Sequence, residues 1–368
     1  MVELDRFALT LAGICFTYSC ISITVTEAVK WLESYYMSGD FDYPLIITWS
    51  CFVCMYFLIL LYRKVLLPNS TKTQKVFGPP QYLTRSLWIR LVIPLGFFVG
   101  IHYACDNLSL TYLSVSAYTI LSSSNTMWVM FFSMVLGLEE AEKSTVAIIA
   151  LTVVGVVMTS TSNESSLTAA GVIFALVGAM CVGGRWPIAQ VLLQVAKMDP
   201  FSLMFYYLPV CIGLLGTTIL FTDEMDIFNQ TALTSGEMIF AFVLIGIFSV
   251  GILVAYYLEL HICSLTSAVT YQVLGIVKTT AQVFVSIWLY GEATTMYEWL
   301  GFACIVSGLV LYSYRSFVRI RAAGSLEAYN TEYKSRMTAR LKRIGLFEGV
   351  HFTKAEEDAD NAGKPLLS

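Results

Sequence analysis

Two cations lie inside apolar runs, where a chain has least reason to keep them. Lys278 stands in the middle of SAVTYQVLGIVKTTAQVFVSIWLY (Ser267 to Tyr290), a stretch long enough to cross a bilayer, and Arg185 stands in GGRWPIAQVLLQ (Gly183 to Gln194). An ammonium at the bilayer centre costs about 2.5–3.5 kcal/mol on insertion scales, so it has to face a cavity, a counter-charge or an anionic ligand. Tyr271, Gly275, Lys278 and Gln282 recur at helical spacing and make one polar or small-residue stripe. That stripe reads as a wall of a wet, anion-accepting cavity. No acidic residue on an adjacent span offers itself as a partner for Lys278 at the same depth. For Arg185 two readings stay open: contact with a ligand, or a structural pair with Glu259 or Asp106. Beside it, Gly183 and Gly184 permit close approach of a helix or ligand, and Pro187 loosens the backbone locally.

Uncharged polar residues supply a second group of candidates. Tyr118, Ser122 and Asn125 follow one another at i, i+4 and i+7, which suits hydrogen bonding to a sugar or a base. Such residues also serve as glue between membrane helices. Tyr271 and Gln272 could contact the same ligand, while Tyr206 and Tyr207, beside Pro209, could stack on a ring or simply pack. Lys30 and Trp31 end the first apolar run as an interfacial snorkelling pair. The nine cysteines all fall in apolar segments and imply no disulfide framework. Cys51 and Cys54 have redox or metal spacing, yet no second pair accompanies them, and zinc needs four converging ligands. The three histidines are scattered. No GxSxG, HExxH, phosphate-cradling glycine loop or paired carboxylates occur, so neither an enzyme nor a resident cofactor or metal is expected.

These residues must be positioned by membrane helices. Of 368 residues, 57% are hydrophobic and 13% charged, with a mean hydropathy of +0.70, which excludes a soluble domain and gives nucleic-acid binding no support. The apolar periodicity predicts an all-α polytopic membrane protein with ten spans at about 7–33, 43–66, 88–110, 114–137, 144–160, 167–193, 201–221, 238–260, 265–290 and 296–316. Between the second and third, Arg63, Lys64, Lys72, Lys75, Arg85 and Arg90 meet no acidic residue, which assigns that loop to the cytosol. The basic stretch after Arg315 agrees, and the acidic loop with Asp223, Glu224, Asp226 and Glu237 falls on the other side. Both termini are then cytosolic. The opening MVELDRFALT lacks transit-peptide character, so the first helix is expected to be its own signal anchor.

The chain also repeats itself. Ser116-Ala117 corresponds to Ser267-Ala268, and GVVMTS (Gly155 to Ser160) to GLVLYS (Gly308 to Ser313), at offsets of 151 and 153 residues. Five helices per half force the second copy to insert upside down, an architecture of transporters with a midplane site. The expected organisation is a cytosolic N-terminus (1–6), a first five-helix repeat (7–160), a second inverted repeat (161–316) and a cytosolic tail, basic then acidic (317–368). Ser325 to Phe347 alternates basic and apolar residues, as a helix on anionic lipid or a solvated tail would. Of the sequons, only Asn229 lies in a loop accessible to glycosylation.

VTYQVLGIVKT (Val269 to Thr279) and EWLGFACIVSGLVLYS (Glu298 to Ser313) resemble the last two helices of nucleotide-sugar transporters of the triose-phosphate-translocator branch, within the drug/metabolite transporter superfamily. Ser114 to Glu140 and Gly183 to Gln194 look most like the GDP-fucose-transporter-like subgroup. The resemblance implies antiport of a nucleotide sugar against a nucleoside monophosphate across the Golgi or endoplasmic reticulum membrane, with the lipid bilayer as the other partner and a homodimer as one allowed assembly. It implies that Lys278 is the family's phosphate-facing lysine, with Gly275 and Thr279 as its context, and that Arg185 matches an arginine of the span-six motif. The chain departs from the pattern at Ser122, where many relatives have a second lysine, and at Val29, where asparagine is usual. A sugar-phosphate/phosphate exchanger and a non-transporting, transporter-shaped scaffold are the alternative readings.

Overall fold

The structure is a computed structural model that describes residues 2–31, 44–66, 85–113, 118, 121–122, 124–138, 142–160, 168–222, 224, 235–272, 274–275, 278, 281, 296–322, 335 and 337–340. All regular structure among them is helical. Helix α1 is Val2–Trp31, α2 Pro44–Leu61, α3 Ile93–Tyr112, α4 Asn125–Val135, α5 Lys143–Ser160, α6 Ala169–Gln194, α7 Pro200–Ile219, α8 Ser235–Leu265 and α9 Met296–Ala322. A π turn, Tyr62–Leu66, extends α2, and another, Trp88–Val92, leads into α3. The Lys278 segment is helical at 268–272 and at its other described residues; Thr279 and Gln282 lie outside the description. Five described helices are long and apolar enough to cross a membrane: α2, α3 with its π turn, α6, α7 and α8. The chain is therefore a multi-pass membrane protein; the expected count of ten spans rests in part on residues beyond the described set.

Why these segments are helices is legible locally. Without water to bond the backbone, an apolar run must satisfy its own N–H and C=O groups, and the α-helix does so within one segment. Large apolar side chains accordingly face outward, with Phe57, Ile173, Ile247 and Val310 each more than half exposed, the pattern of a lipid-facing surface. Helix α7 begins with Pro200 at its first position, and Asp199 Oδ2 accepts from the backbone N–H of Phe201 at 3.0 Å and Ser202 at 3.3 Å.

Helix α6 is the axis of the bundle. From Gly178 to Gln194 nearly every residue is buried. A Cβ on Gly183 would meet Trp128 Cβ of α4 at 2.4 Å, and one on Gly184 would meet the Phe98 ring of α3 at 2.8 Å. Hydrogen at these two positions lets α3 and α4 close on α6, the close approach expected from the sequence. Helices α5 and α9 pack as a pair, with Gly308 against Thr152 and an ion pair between Arg315 and Glu142. Cys51 packs in an apolar cluster with Ile47 and Ile245, joined by Cys54, so the pair fills space between helices.

The far end of α6 fixes where the Lys278 segment begins. Gln194 Nε2 donates to the carbonyls of Cys263 at 3.0 Å and Thr266, and Gln190 Oε1 accepts from the Ala268 N–H at 2.9 Å. These buried amides tie the turn between α8 and the Lys278 segment to the axis. They sit in the same GGRWPIAQVLLQ stretch that carries Arg185, so one sequence element both holds a cation and anchors the segment bearing the other.

Candidate functional site

Lys278 points at α1. Its Nζ donates to Ser22 Oγ at 3.1 Å and lies 5.4 Å from the centroid of the Tyr18 ring. A cation over an aromatic face gains quadrupole attraction that grows when water is excluded. Tyr18 is itself 2% exposed, and its hydroxyl donates to Glu259 Oε1 of α8 at 2.7 Å while sitting 3.2 Å from the Tyr271 hydroxyl. Tyr271 then stacks toward Trp186, with ring centroids 4.1 Å apart, and Trp186 carries the Arg185 guanidinium 4.7 Å above its ring. A continuous polar and aromatic path thus joins the two cations.

Arg185 is 9% exposed and hydrogen-bonds Tyr103, yet its Nη1 is buried with no partner among the described residues. An unsatisfied charged donor in a low-dielectric interior is costly and marks a place where an acceptor belongs. It opens on a cavity lined by Leu95, Val99, Trp186, Ala189, Tyr207 and Tyr256, with the Tyr256 hydroxyl likewise unpartnered. The cavity holds about 20 Å³, room for about one water. Lys278 does not line it; contacts lead from Lys278 to the cavity wall by way of Tyr18, Tyr271 and Trp186. In this conformation the two cations share a neighbourhood without sharing a chamber.

Glu259 corrects the sequence reading of Lys278. The expected span ended at about 260, whereas α8 runs on to Leu265 and places Glu259 more than a turn before its end. There it accepts a hydrogen bond from Tyr18, whose ring lies under Lys278. Neither of the two partners weighed for Arg185, Glu259 or Asp106, makes a direct ion pair with it among the described residues. Tyr18, Ser22, Tyr103, Trp186 and Tyr256 were not singled out in the sequence either. Aromatic residues in a membrane span carry no mark of which face they take.

The remaining candidates separate. Tyr207 is buried and lines the Arg185 cavity, but Tyr206 turns to the π turn after α2, where Arg63 lies 4.0 Å from the Phe205 ring and 5.8 Å from that of Tyr206. Gln272 is half-buried next to Tyr271. Asn125 Oδ1 is buried without a partner among the described residues, one turn before the Trp128 that packs on Gly183. Ser122 is half-buried. Tyr118 donates to Asp106 Oδ2 at 2.7 Å, and His102 Nδ1 lies 3.1 Å from the same oxygen, off the line a hydrogen bond requires. Among the described residues no group of three metal-ligating side chains converges.

Among the described residues the interior of this helical membrane bundle holds two cations, Lys278 and Arg185. Residues 169–314, from α6 to α9, match the EamA-like transporter family. A probable sugar phosphate/phosphate translocator of Arabidopsis thaliana is 24% identical across 69% of this chain, which spans only 61% of that protein's length. A second probable sugar phosphate/phosphate translocator of that plant is 23% identical over 82% of this chain and 86% of its own. GDP-fucose transporter 1 of Dictyostelium discoideum is 23% identical over 85% and 82%. One solved crystal structure superposes with a TM-score of 0.55 at 15% identity, covering 82% of this chain and 96% of the other, which speaks to the fold alone. Residues 169–314 are thus similar to the EamA-like transporter family, and the chain as a whole is similar to proteins named as translocators and transporters.

Proposed function

We propose that this protein is an alternating-access antiporter of the Golgi or endoplasmic reticulum membrane, exchanging a nucleotide sugar for a nucleoside monophosphate, with both termini cytosolic and two inverted five-helix repeats. The observation that carries this reading is the pair of interior cations, Lys278 and Arg185, the latter with a buried donor left unmet. Phosphate oxygens would satisfy that donor, and an anion between the two cations lowers the cost of burying both. Tyr207, which lines the Arg185 cavity, and Tyr271, which packs on Trp186, would meet sugar or base, joined by Gln272 and Asn125; Thr279 lies outside the described residues. A cavity with room for about one water cannot hold a nucleotide, so loading requires the helices around Tyr271 and Trp186 to part. Exchange follows because the excess of positive charge makes the empty site costly to carry across.

The relatives named as sugar phosphate/phosphate translocators support a second reading at the same site, since it also needs only phosphate recognition. Counterflow into proteoliposomes separates the two. Vesicles preloaded with GMP, UMP, CMP or inorganic phosphate are offered labelled nucleotide sugars and sugar phosphates. Uptake driven by one monophosphate and lost in Lys278→Ala is the expected result; uptake driven by phosphate alone replaces it with the second reading.

A further inference from the structure

We infer that Glu259 is a resident counter-ion that competes with the substrate's phosphate for Lys278 and Arg185, and so sets both the affinity of the site and the strictness of exchange. This rests on the anion-transport reading above and deepens it.

The geometry is specific. Glu259 is a carboxylate on α8 one phenol away from Lys278, since the Tyr18 hydroxyl that donates to it belongs to the ring lying 5.4 Å from Lys278 Nζ, and the path on through Tyr271 and Trp186 reaches Arg185. It pairs directly with neither; its hydrogen bond is to Tyr18, at 2.7 Å. Tyr18 in turn lies beneath Lys278 and against Tyr271. The phenol therefore holds the carboxylate in the neighbourhood of Lys278 without a direct pair, while Arg185 Nη1 stays open among the described residues. A purely structural ion pair would consume that donor. With Glu259 ionised the empty site carries one net positive charge instead of two. When a phosphate monoester brings its own negative charge, the carboxylate faces a like charge and loses its hold on the cations.

Two substitutions with opposite expected signs test this. Glu259→Gln removes the competitor, so the apparent affinity for the monophosphate that drives counterflow rises by about tenfold. Net efflux into substrate-free buffer falls relative to exchange, because the unloaded site now carries both charges uncompensated. Tyr18→Phe keeps the carboxylate but removes its tether, freeing Glu259 to pair with the cations, so apparent affinity falls. In the double variant the Tyr18→Phe effect disappears, since nothing remains to tether. Damage to packing would weaken both single variants and would not alter the ratio of net efflux to exchange. If Glu259→Gln leaves affinity unchanged or lowers it, or if Tyr18→Phe acts equally with and without Glu259, the inference is wrong. Should Glu259→Gln not fold, an unchanged or raised affinity in Tyr18→Phe alone overturns it. Absence of exchange with any monophosphate or inorganic phosphate in the wild type instead overturns the transport reading itself.

Discussion

Two polar clusters lie inside this bundle, and they are built on different terms. Around Lys278 and Arg185, two cations face one carboxylate, and buried donors at Arg185 and Tyr256 have no partner among the described residues. Around Asp106, one carboxylate gathers a phenol and an imidazole. The same end of α3 binds its other neighbours by short polar contacts, Asn107 Nδ2 to Thr48 Oγ1 at 3.3 Å and Ser109 Oγ to the Gly171 carbonyl at 3.1 Å. One region sets two cations against one carboxylate; in the other, hydrogen bonds join α3 to α2, to α6 and to Tyr118, with His102 Nδ1 close to Asp106 but not bonded to it. Excess charge inside a membrane protein asks for a ligand, whereas matched polarity holds helices together.

The contrast breaks most readily at Lys278. Lys278→Ala is expected to cut counterflow by about a hundredfold or more, as loss of a buried charged contact does, with the protein still monodisperse after extraction. Next comes a direct comparison of the regions. Arg185→Gln should raise the apparent KM for the monophosphate by about tenfold, while Asp106→Asn should change it less than about threefold and lower the thermal midpoint instead. Reversal of that pattern would exchange the roles assigned to the two clusters. Gly183→Val tests the frame that both clusters share. Its new carbons collide with Trp128, so thermal stability should drop by about 1–3 kcal/mol.

Smaller effects sharpen the picture. Asp199→Ala removes the cap of α7, the helix that carries Tyr207, and should cost about 1 kcal/mol by thermal melting, with Asp199→Asn costing less. Burial raises the Asp199 carboxyl above its ordinary range, against the opposing cap bonds and Arg63. The folded protein therefore binds more protons than the unfolded chain just above the usual aspartate pKa, and its stability should decline as pH rises through that window. Tyr118→Phe, which deletes one interhelical hydrogen bond, should cost about 0.6 kcal/mol and leave counterflow nearly unchanged. A large transport defect from that single hydroxyl would move Tyr118 from helix adhesion into the substrate site.

Parts of this were legible in the chain itself. The GGRW stretch foretold close helix contact because only hydrogen at Gly183 and Gly184 leaves room for Trp128 and Phe98. The Tyr206–Tyr207 pair was not separable, since adjacent residues on a helix point about 100° apart and packing alone decides which faces the cavity. Glu259 entered the sequence reading only as a partner for Arg185, because its bond to Tyr18 spans 241 positions and leaves no local trace. Its neighbours Tyr18 and Ser22 were out of reach of any periodicity argument.

What the sequence determines by itself is the set of membrane helices and the positions of the cations within them. Hydropathy acts over one segment, and a charge in an apolar run is visible without knowing its surroundings. Tertiary structure alone decided that Tyr118 bonds Asp106, that Gln194 holds the turn before Lys278, and that Lys278 rests over Tyr18 beside Glu259. Lys278 and Ser22 are 256 positions apart, and Tyr18 and Glu259 are 241. Contacts at that separation depend on how each helix is rotated about its own axis. That rotation is set by the packing of all the helices together, to which no single segment holds the key.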